Sequence, residues 1–157
     1  MKPISLISSL TLTDKSERTL WRWIADGTLV RASDEAAQGK TMVTLESVIP
    51  HLCIAIEPED FCLIESADEG DAEAQNDLAM LFLSQNKPDS AVYWLGLSAN
   101  QAYAEAMHWL GRCHIEGNGV TKDEDLGIMW LAKAASHGHV ISRAQVQAMR
   151  DGFMGKH

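Results

Sequence analysis

Five histidine and cysteine side chains, of types that bind transition metals, lie between residues 108 and 139: His108, Cys113, His114, His137 and His139. Two ligands carried by one helix must be three or four residues apart, because only those spacings place both side chains on the same face. His108 and His114 are six residues apart and do not meet this requirement. We therefore expect no metal site and no cofactor, and we expect His137-Gly138-His139 to lie in a loop between helices.

The chain also lacks the residue sets on which common enzymatic reactions depend. It contains no Gly-x-Ser-x-Gly turn, no glycine-rich phosphate loop and no His-Glu-x-x-His motif. The acidic stretch from Glu65 to Asp77 lacks the alternating aspartates of a calcium loop, so a solvated helix face is the favoured interpretation. Cys113 lies between Arg112 and His114 and could be reactive, but its stripe of small residues favours a buried core position. These observations predict a protein that is not an enzyme.

The helices that carry these residues repeat along the chain. A shift of 32 residues aligns the segment that begins at Cys62 with the one that begins at Trp94, and a further shift of 36 reaches Trp130. Small and apolar residues in these segments fall three or four positions apart, which is the spacing of an amphipathic helix. Helix pairs that repeat at this period predict a solenoid, in which each unit buries its apolar face against its neighbours. The aligned sets are Cys62-Leu63-Ser66-Ala67-Gly70-Ala74, Trp94-Leu95-Ser98-Ala99-Ala102-Ala106 and Trp130-Leu131-Ala134-Ala135-Gly138-Ser142.

Local signals place the ends of several of these helices. Pro88-Asp89 and the stretch from Thr121 to Glu124 predict helix starts, the second with the spacing of a capping box. Gly117-Asn118-Gly119 predicts a tight turn between helices.

Composition and charge indicate a folded chain whose two parts differ. Three cysteines, an odd number without a Cys-x-x-Cys spacing, argue against a disulfide framework and favour a reducing, cytoplasmic location. No apolar run is long enough to span a membrane. The net charge of −9 comes entirely from residues 53–157, because residues 1–52 are balanced. The acidic part is expected to repel nucleic acid and to favour a basic or neutral protein partner.

The best-formed repeat resembles the Sel1-like repeat, a relative of the tetratricopeptide repeat. The resemblance rests on Ala106 to Gly111, on Gly117 to Val120, on Asp123 and on Trp130 to Gly138. Residues 72–103 are a weaker copy, residues 59–70 look like the last helix of a further unit, and residues 141–152 look like the first helix of another. Such proteins are α-helical adaptors whose concave surface holds a protein or peptide, and the resemblance implies no catalytic residues.

The resemblance also implies which side chains line the partner groove. If the helices that bear Ala74 and Ala106 form the concave side, then Asn76, Met80, His108 and Arg112 point into it; each pair has i, i+4 spacing. These four residues could equally be ordinary surface residues.

The amino-terminal segment carries a different pattern. Ser16 is a predicted N-cap for a short helix with Leu20, Trp23 and Ile24 on its inner face, and Gly27 is predicted to stop it. A hairpin is expected from residues 29–31 and 40–43, which are separated by polar residues 33–39. A helix is then expected from Thr44-Leu45 toward Ile56, kinked or delayed by Pro50.

This order of elements resembles the winged helix-turn-helix of MerR-type regulators and excisionases. The match is close over residues 16–29, whereas the first helix, in residues 4–15, departs from the family by being short and rich in Ser and Thr. The resemblance implies that Arg18, Thr19 and Arg22 face the major groove of double-stranded DNA and that Arg31 and Lys40 lie near phosphates. Alternatively the segment is a packing module with ordinary solvated charges. Trp21 could stack on a partner or pack against the hairpin.

The sequence thus predicts a mainly α protein, with a winged helix-turn-helix domain over residues 1–57 and a short α-α solenoid of Sel1-like repeats over residues 58–157. We expect a non-enzymatic regulatory adaptor that binds a protein partner through its repeats. The alternative is a sequence-specific DNA-binding transcription regulator whose repeats serve dimerisation or sensing.

Overall fold

Two groups of elements, Met1–Gly70 and Asp71–His157, make up the computed structural model, which describes residues 1–33 and 39–154. The first unit contains short helices and a small antiparallel sheet. Its elements are β1 (Ile4–Ser5), α1 (Leu6–Thr13), α2 (Glu17–Asp26), β2 (Met42–Val43), α3 (Leu45–Val48) and α4 (Phe61–Asp68), with 3-10 turns at Ile49–His51 and Pro58–Asp60.

Helix α2 begins and ends where the sequence predicts. The hydroxyl of Ser16 accepts a hydrogen bond from the backbone N–H of Thr19, and Gly27 follows the helix with a positive φ of 84°. Leu20 is buried, while Trp23 and Ile24 are half-buried. The N-cap and the stop at Gly27 are therefore confirmed, since both depend only on local chemistry.

The small sheet joins three parts of the first unit. β1 is antiparallel to β2, with Ile4 opposite Val43, and Arg31 forms an antiparallel bridge to the same valine. The backbone N–H of Ala32 donates to the carbonyl of Met42 at 2.9 Å, so the predicted pairing across the hairpin is present. Most of the predicted connection, residues 34–38, lies outside the described residues. The sequence predicts a helix within residues 4–15, but α1 begins at Leu6 and the two residues before it form β1.

The helix predicted from Thr44 begins there, with Thr44 as its N-cap residue, but its predicted extension toward Ile56 is wrong. α3 ends at Val48, the 3-10 turn follows, and Leu52 leaves it with an extended ψ of 134°. Pro50 has no N–H to donate to the carbonyl of Glu46, so the α-helical hydrogen-bond series ends there instead of bending.

Helix α4 belongs to the first unit through one carboxylate. Asp68 accepts hydrogen bonds from the backbone N–H and hydroxyl of Ser5 and from the hydroxyl of Ser8. The division in the structure therefore falls after Gly70, whereas the sequence was divided after residue 57 and grouped α4 with the repeats. Asp68 is bonded to residues more than fifty positions earlier, which no repeat pattern could reveal.

The second unit is a series of helices in which each packs on the next. They are α5 (Ala72–Ser84), α6 (Pro88–Ala99), α7 (Ala104–Glu116), α8 (Glu124–Ser136) and α9 (Val140–Met154). Trp94 and Leu95 of α6 and Leu131 of α8 are buried, as the repeated stripe predicts. Trp130 is only half-buried, and the Lys133 ammonium lies 4.8 Å from its ring centroid. Most of the apolar core therefore lies between successive helices, as in a solenoid.

The helix ends of this unit largely follow the local signals. α6 begins at Pro88, and Gly117 and Gly119 both have positive φ angles in the turn after α7. The capping box at Thr121 is not used: α8 begins at Glu124, and the carboxylate of Asp123 accepts from the backbone N–H of Leu126. Asp is as good an N-cap as Thr, so the two positions compete and the structure uses the later one.

Candidate protein-binding site

The residues expected to line the groove do not share one environment. Met80 is half-buried, and Arg112 has a side chain that is 43% exposed. Asn76 and His108 are buried, and the Oδ1 atom of Asn76 has no hydrogen-bond partner among the described residues. The structure thus brings only Met80 and Arg112 to an accessible surface, whereas His108 lies between α7 and α9.

Arg112 lies at the edge of a cleft of about 600 Å³ among α7, α8 and α9. Its guanidinium forms an ion pair with Glu116 at 3.0 Å and lies 5.4 Å from the ring centroid of Trp109. We call this the helix cleft, and its volume is in the range of sites that bind ligands or side chains. Its lining residues are Arg112, Ile115, Glu116, Leu131, Gln145, Ala148 and Met149.

A second cleft of about 590 Å³ lies between the loop that precedes α7 and the loop that precedes α9. We call it the loop cleft. Val140 and Ile141, at the start of α9, line it and are 79% and 57% exposed. The other lining residues are Ala102, Tyr103, Ala104, Glu105, His137, Gly138 and His139.

A hydrogen-bond network joins α7 to α9 beneath the loop cleft. The Nδ1 atom of His139 accepts from the backbone N–H of Ser142 at 3.1 Å, as an N-cap side chain does. Because that nitrogen is an acceptor, the proton of the neutral ring is on Nε2, which donates to Glu105 Oε2 at 2.7 Å. His108 stacks on His139 with ring centroids 4.4 Å apart, and its Nδ1 lies 2.8 Å from the hydroxyl of Ser142.

The environment shifts the pKa of three groups in this region. Burial alone would raise the pKa of Glu105, but hydrogen bonds from Trp109 and His139 outweigh it and lower the pKa. Burial, with a smaller contribution from His139, lowers the pKa of His108. Burial and then the neighbouring carboxylates, chiefly Glu73 and Asp77, raise the pKa of Tyr103. The carboxylates around Tyr103 therefore give the loop cleft a negative field.

Several of these residues were not identified from the sequence as site residues. His139 was expected to decorate a loop, and Tyr103, Glu105, Val140 and Ile141 were not singled out. One signal was available: Glu105 and Ile141 occupy the same repeat position as Glu73, at shifts of 32 and 36 residues. The change from carboxylate to isoleucine at that position marks the last repeat as different.

Two other sequence expectations concern reactive or metal-binding side chains. Cys113 is buried, and burial raises the pKa of its thiol to about 11, so it is a core residue as the stripe of small residues predicts. Within residues 1–33 and 39–154, no group of three or more His, Cys, Asp or Glu side chains is arranged to hold a metal ion. None of the helices in those ranges is both long and apolar enough to cross a membrane.

In the first unit, the residues expected to contact DNA lie at the surface. Arg18, Arg22, Arg31 and Lys40 are exposed, and Thr19 is half-buried. Trp21 is 41% exposed, and its indole N–H donates to Glu17 of the same helix at 3.4 Å. Asp26 follows Arg22 by one helical turn, and hydrogen bonds from Thr28, with a smaller contribution from Arg22, lower the pKa of Asp26. Acidic side chains are thus interspersed with the cations of α2.

The second unit is similar to known repeat proteins. The Sel1 repeat pattern matches residues 72–103 and 104–139. A crystal structure of a Sel1 repeat protein from Oxalobacter formigenes is similar over 55% of this chain and 26% of its own, with 28% identity and a TM-score of 0.52. The crystal structure of c5321, described as a protective antigen of uropathogenic Escherichia coli with an SLR fold, covers 78% of this chain and 24% of its own, with 27% identity and a TM-score of 0.54.

The chain spans about a quarter of the length of these two structures. No curated protein sequence matches it. The two matched segments coincide with the helix pairs α5–α6 and α7–α8 and their following loops. Residues 72–139 of this chain therefore match two successive Sel1 repeats, each of which is one helix pair of the solenoid.

Proposed function

We propose that the chain is a non-enzymatic adaptor, located in the cytoplasm, that binds a protein or peptide partner through its Sel1 repeats. The observation that carries this proposal is the helix cleft, where an exposed arginine borders the apolar side chains of Ile115, Leu131 and Met149. Arginine beside apolar side chains is a combination enriched at protein interfaces. Arg112 and Met80 are proposed to touch the partner, while Asn76 and His108 shape the surface from beneath.

Selection of peptides from a displayed random library on the full chain tests this proposal. Selected peptides should lose affinity with Arg112→Ala or Met149→Ser, since these changes remove an anchor of the helix cleft without removing a buried side chain. They should keep their affinity with the pair Arg18→Ala and Arg22→Ala, which lies in the other unit. Failure to select any peptide above background, or binding that no substitution in the repeats weakens, would contradict the proposal.

A second candidate function is DNA contact by the first unit as a winged helix-turn-helix, in a transcription regulator or as part of the adaptor. It is supported by α1 and α2, which are joined by three residues, and by the exposed Arg18 and Arg22 four positions apart on α2. Arg31 and Lys40 would contact phosphates beside Thr19 and these arginines. The balanced charge of residues 1–52 argues against strong non-specific binding, because that affinity comes from released counterions.

Fluorescence anisotropy with pooled genomic duplexes, at low and moderate salt, tests this second function. The double variant Arg18→Ala and Arg22→Ala should abolish salt-sensitive binding. The matched control is Arg143→Ala with Arg150→Ala, which removes two exposed arginines of α9 and the same total charge. If both double variants weaken DNA binding equally, the binding depends only on the net charge of the chain, and α2 does not contact DNA specifically.

A further inference from the structure

We propose that the loop cleft binds a basic segment of the partner protein, with an apolar side chain on Val140 and Ile141 and a lysine or arginine beside the carboxylates near Tyr103. This inference rests on the proposed function, since it assigns a second contact and a partner chemistry to the same repeats.

The apolar half of the cleft is unusual for an exposed position. Ile141 occupies the repeat position held by Glu73 and Glu105, two charged residues of the kind expected at a solvent-exposed position. Together with Val140 it leaves two large aliphatic side chains more than half exposed at the start of α9. Adjacent exposed aliphatic side chains in a concave site indicate a place where a partner covers them.

The polar half of the cleft is negative. Tyr103 lies in the combined field of four carboxylates, those of Glu73, Asp77, Glu105 and Asp71, each of which raises the pKa of its phenol. Glu73 and Asp77 are exposed and are four residues apart on α5, so both carboxylates can be reached from the same side.

Among the residues that the structure describes, those that line the cleft include no lysine or arginine to offset this field. The side chain of His139 is already hydrogen-bonded to Glu105 and to the backbone N–H of Ser142. Charge complementarity therefore favours a cationic partner over an acidic one.

In this proposal the partner is an extended segment that carries both basic and aliphatic side chains. In an extended chain, residues are spaced by about 3.3 Å and successive side chains point in opposite directions. A lysine and an aliphatic residue two positions apart would then face the same side, so one could occupy the carboxylate end while the other covers Ile141.

The test uses fluorescein-labelled synthetic peptides of about nine residues, long enough to span roughly 30 Å. One peptide alternates pairs of Lys and Leu, a second replaces each Lys by Glu, and a third replaces each Leu by Ser. The full chain is compared with Ile141→Ser, Asp77→Asn and the control Ile128→Ser, which alters an exposed aliphatic residue of α8 outside both clefts.

The Lys/Leu peptide should bind best and should weaken as salt rises. Ile141→Ser should reduce its affinity about tenfold, since the burial of one aliphatic side chain is lost. Asp77→Asn should reduce it by about twofold to fivefold and flatten the salt dependence, as expected for an exposed ion pair. Ile128→Ser should leave it unchanged, and all variants should keep the wild-type circular dichroism spectrum because these side chains are exposed.

Backbone amide shifts on titration then locate the peptide. Changes at residues 102–105 and 137–141 support the inference. Changes at residues 112–116 and 145–149 overturn it while leaving the proposed function intact, because the peptide would then occupy the helix cleft. Equal binding of the Glu/Leu peptide, or the absence of binding by the Lys/Leu peptide, also overturns it. The selection of peptides from a displayed library, described above, tests the proposed function independently of these peptides.

Discussion

Nε2 of His139 lies 2.7 Å from Oε2 of Glu105, and this hydrogen bond fixes which nitrogen of the histidine carries the proton. The other nitrogen, Nδ1, is then free to accept the backbone N–H of Ser142 in the first turn of α9. The carboxylate on α7 therefore orients the side chain that caps α9. Helices α7 and α9, which are separated in the chain by α8, are joined by this polar contact.

We expect His139→Ala to destabilise the second unit by about 1–2 kcal/mol, because a cap and a hydrogen bond to a carboxylate are lost together. His139→Asn should cost less, since an asparagine at this position can still accept the N–H of Ser142. The free energy of unfolding from urea denaturation measures both. Equal losses for the two variants would show that the cap is not what His139 contributes.

The stability of the second unit should depend on pH through His108. Its pKa is below the ordinary value of 6.5 in the folded chain, mainly because of burial and with a contribution from His139. The unfolded chain therefore binds a proton that the folded chain does not, and stability is expected to fall as the pH drops below 6.5. Glu105 acts in the opposite direction on His108 and Arg112 in the same direction as His139, but burial dominates.

Replacement of His108 by asparagine, the residue at the equivalent position Asn76, tests this assignment. His108→Asn should flatten the dependence of unfolding free energy on pH between neutral and mildly acidic conditions. His137→Asn is the matched control, because it replaces an exposed histidine of the same unit. An unaltered slope in His108→Asn would show that another group is responsible.

The thiol of Cys113 should be inert in the folded protein. Its pKa of about 11, against an ordinary value of 9.0, leaves about a hundredfold less thiolate, and the side chain is also buried. Iodoacetamide should therefore modify the exposed Cys62 first, and peptide mapping by mass spectrometry should find Cys113 unmodified until denaturant is added. Modification of Cys113 and Cys62 at similar rates in native buffer would contradict its placement in the core.

Features of the fold that depend on local chemistry could be predicted from the sequence. Ser16, Gly27 and Pro88 mark helix ends because each acts through its own backbone or a nearby N–H. The repeat pattern similarly predicts which side chains pack between helices, as Trp94 and Leu131 show. The spacing of such residues carries the information, and no distant contact is required.

Features that depend on distant partners could not be predicted. Asp68 holds α4 in the first unit through Ser5 and Ser8, although its sequence resembles a repeat helix. From the sequence, His139 is predicted to be a loop residue. Its role depends on a hydrogen bond to Glu105, 34 positions earlier, which the sequence does not reveal. The burial of Asn76 and His108 likewise depends on how closely neighbouring helices approach, so helical spacing alone could not distinguish a groove from a core.

Ala102 adopts a left-handed conformation, with φ of 63°, at the repeat position that Gly70 and Gly138 hold with positive φ angles. A left-handed conformation costs a non-glycine residue about 1–2 kcal/mol, which the greater unfolded-state entropy of glycine partly offsets. Ala102→Gly should therefore stabilise the chain by about 0.5–1 kcal/mol, and Gly138→Ala should destabilise it by a similar amount. Urea denaturation measures the change in the free energy of unfolding for each variant. Changes of the same sign would contradict this explanation.

Two helical glycines in the second unit should respond to alanine in opposite ways. A Cβ at Gly111 would lie 2.8 Å from the carbonyl oxygen of Gly127, so α7 and α8 would have to separate. Gly111→Ala should cost about 1–3 kcal/mol, as overpacking usually does. A Cβ at Gly96, in the last turn of α6, meets nothing within 4 Å among the described residues.

Gly96→Ala should consequently stabilise the chain by up to about 1 kcal/mol, the difference in helix propensity between the two residues. Gly→Ala at these two positions thus separates the effect of close helix packing from that of helix propensity. The two sites differ because only Gly111 lies against the backbone of a neighbouring helix. If Gly111→Ala also stabilised the chain, close packing of α7 on α8 would not require a glycine at this position. The expected loss at Gly111 would instead establish that the glycine is required for the packing of α7 on α8.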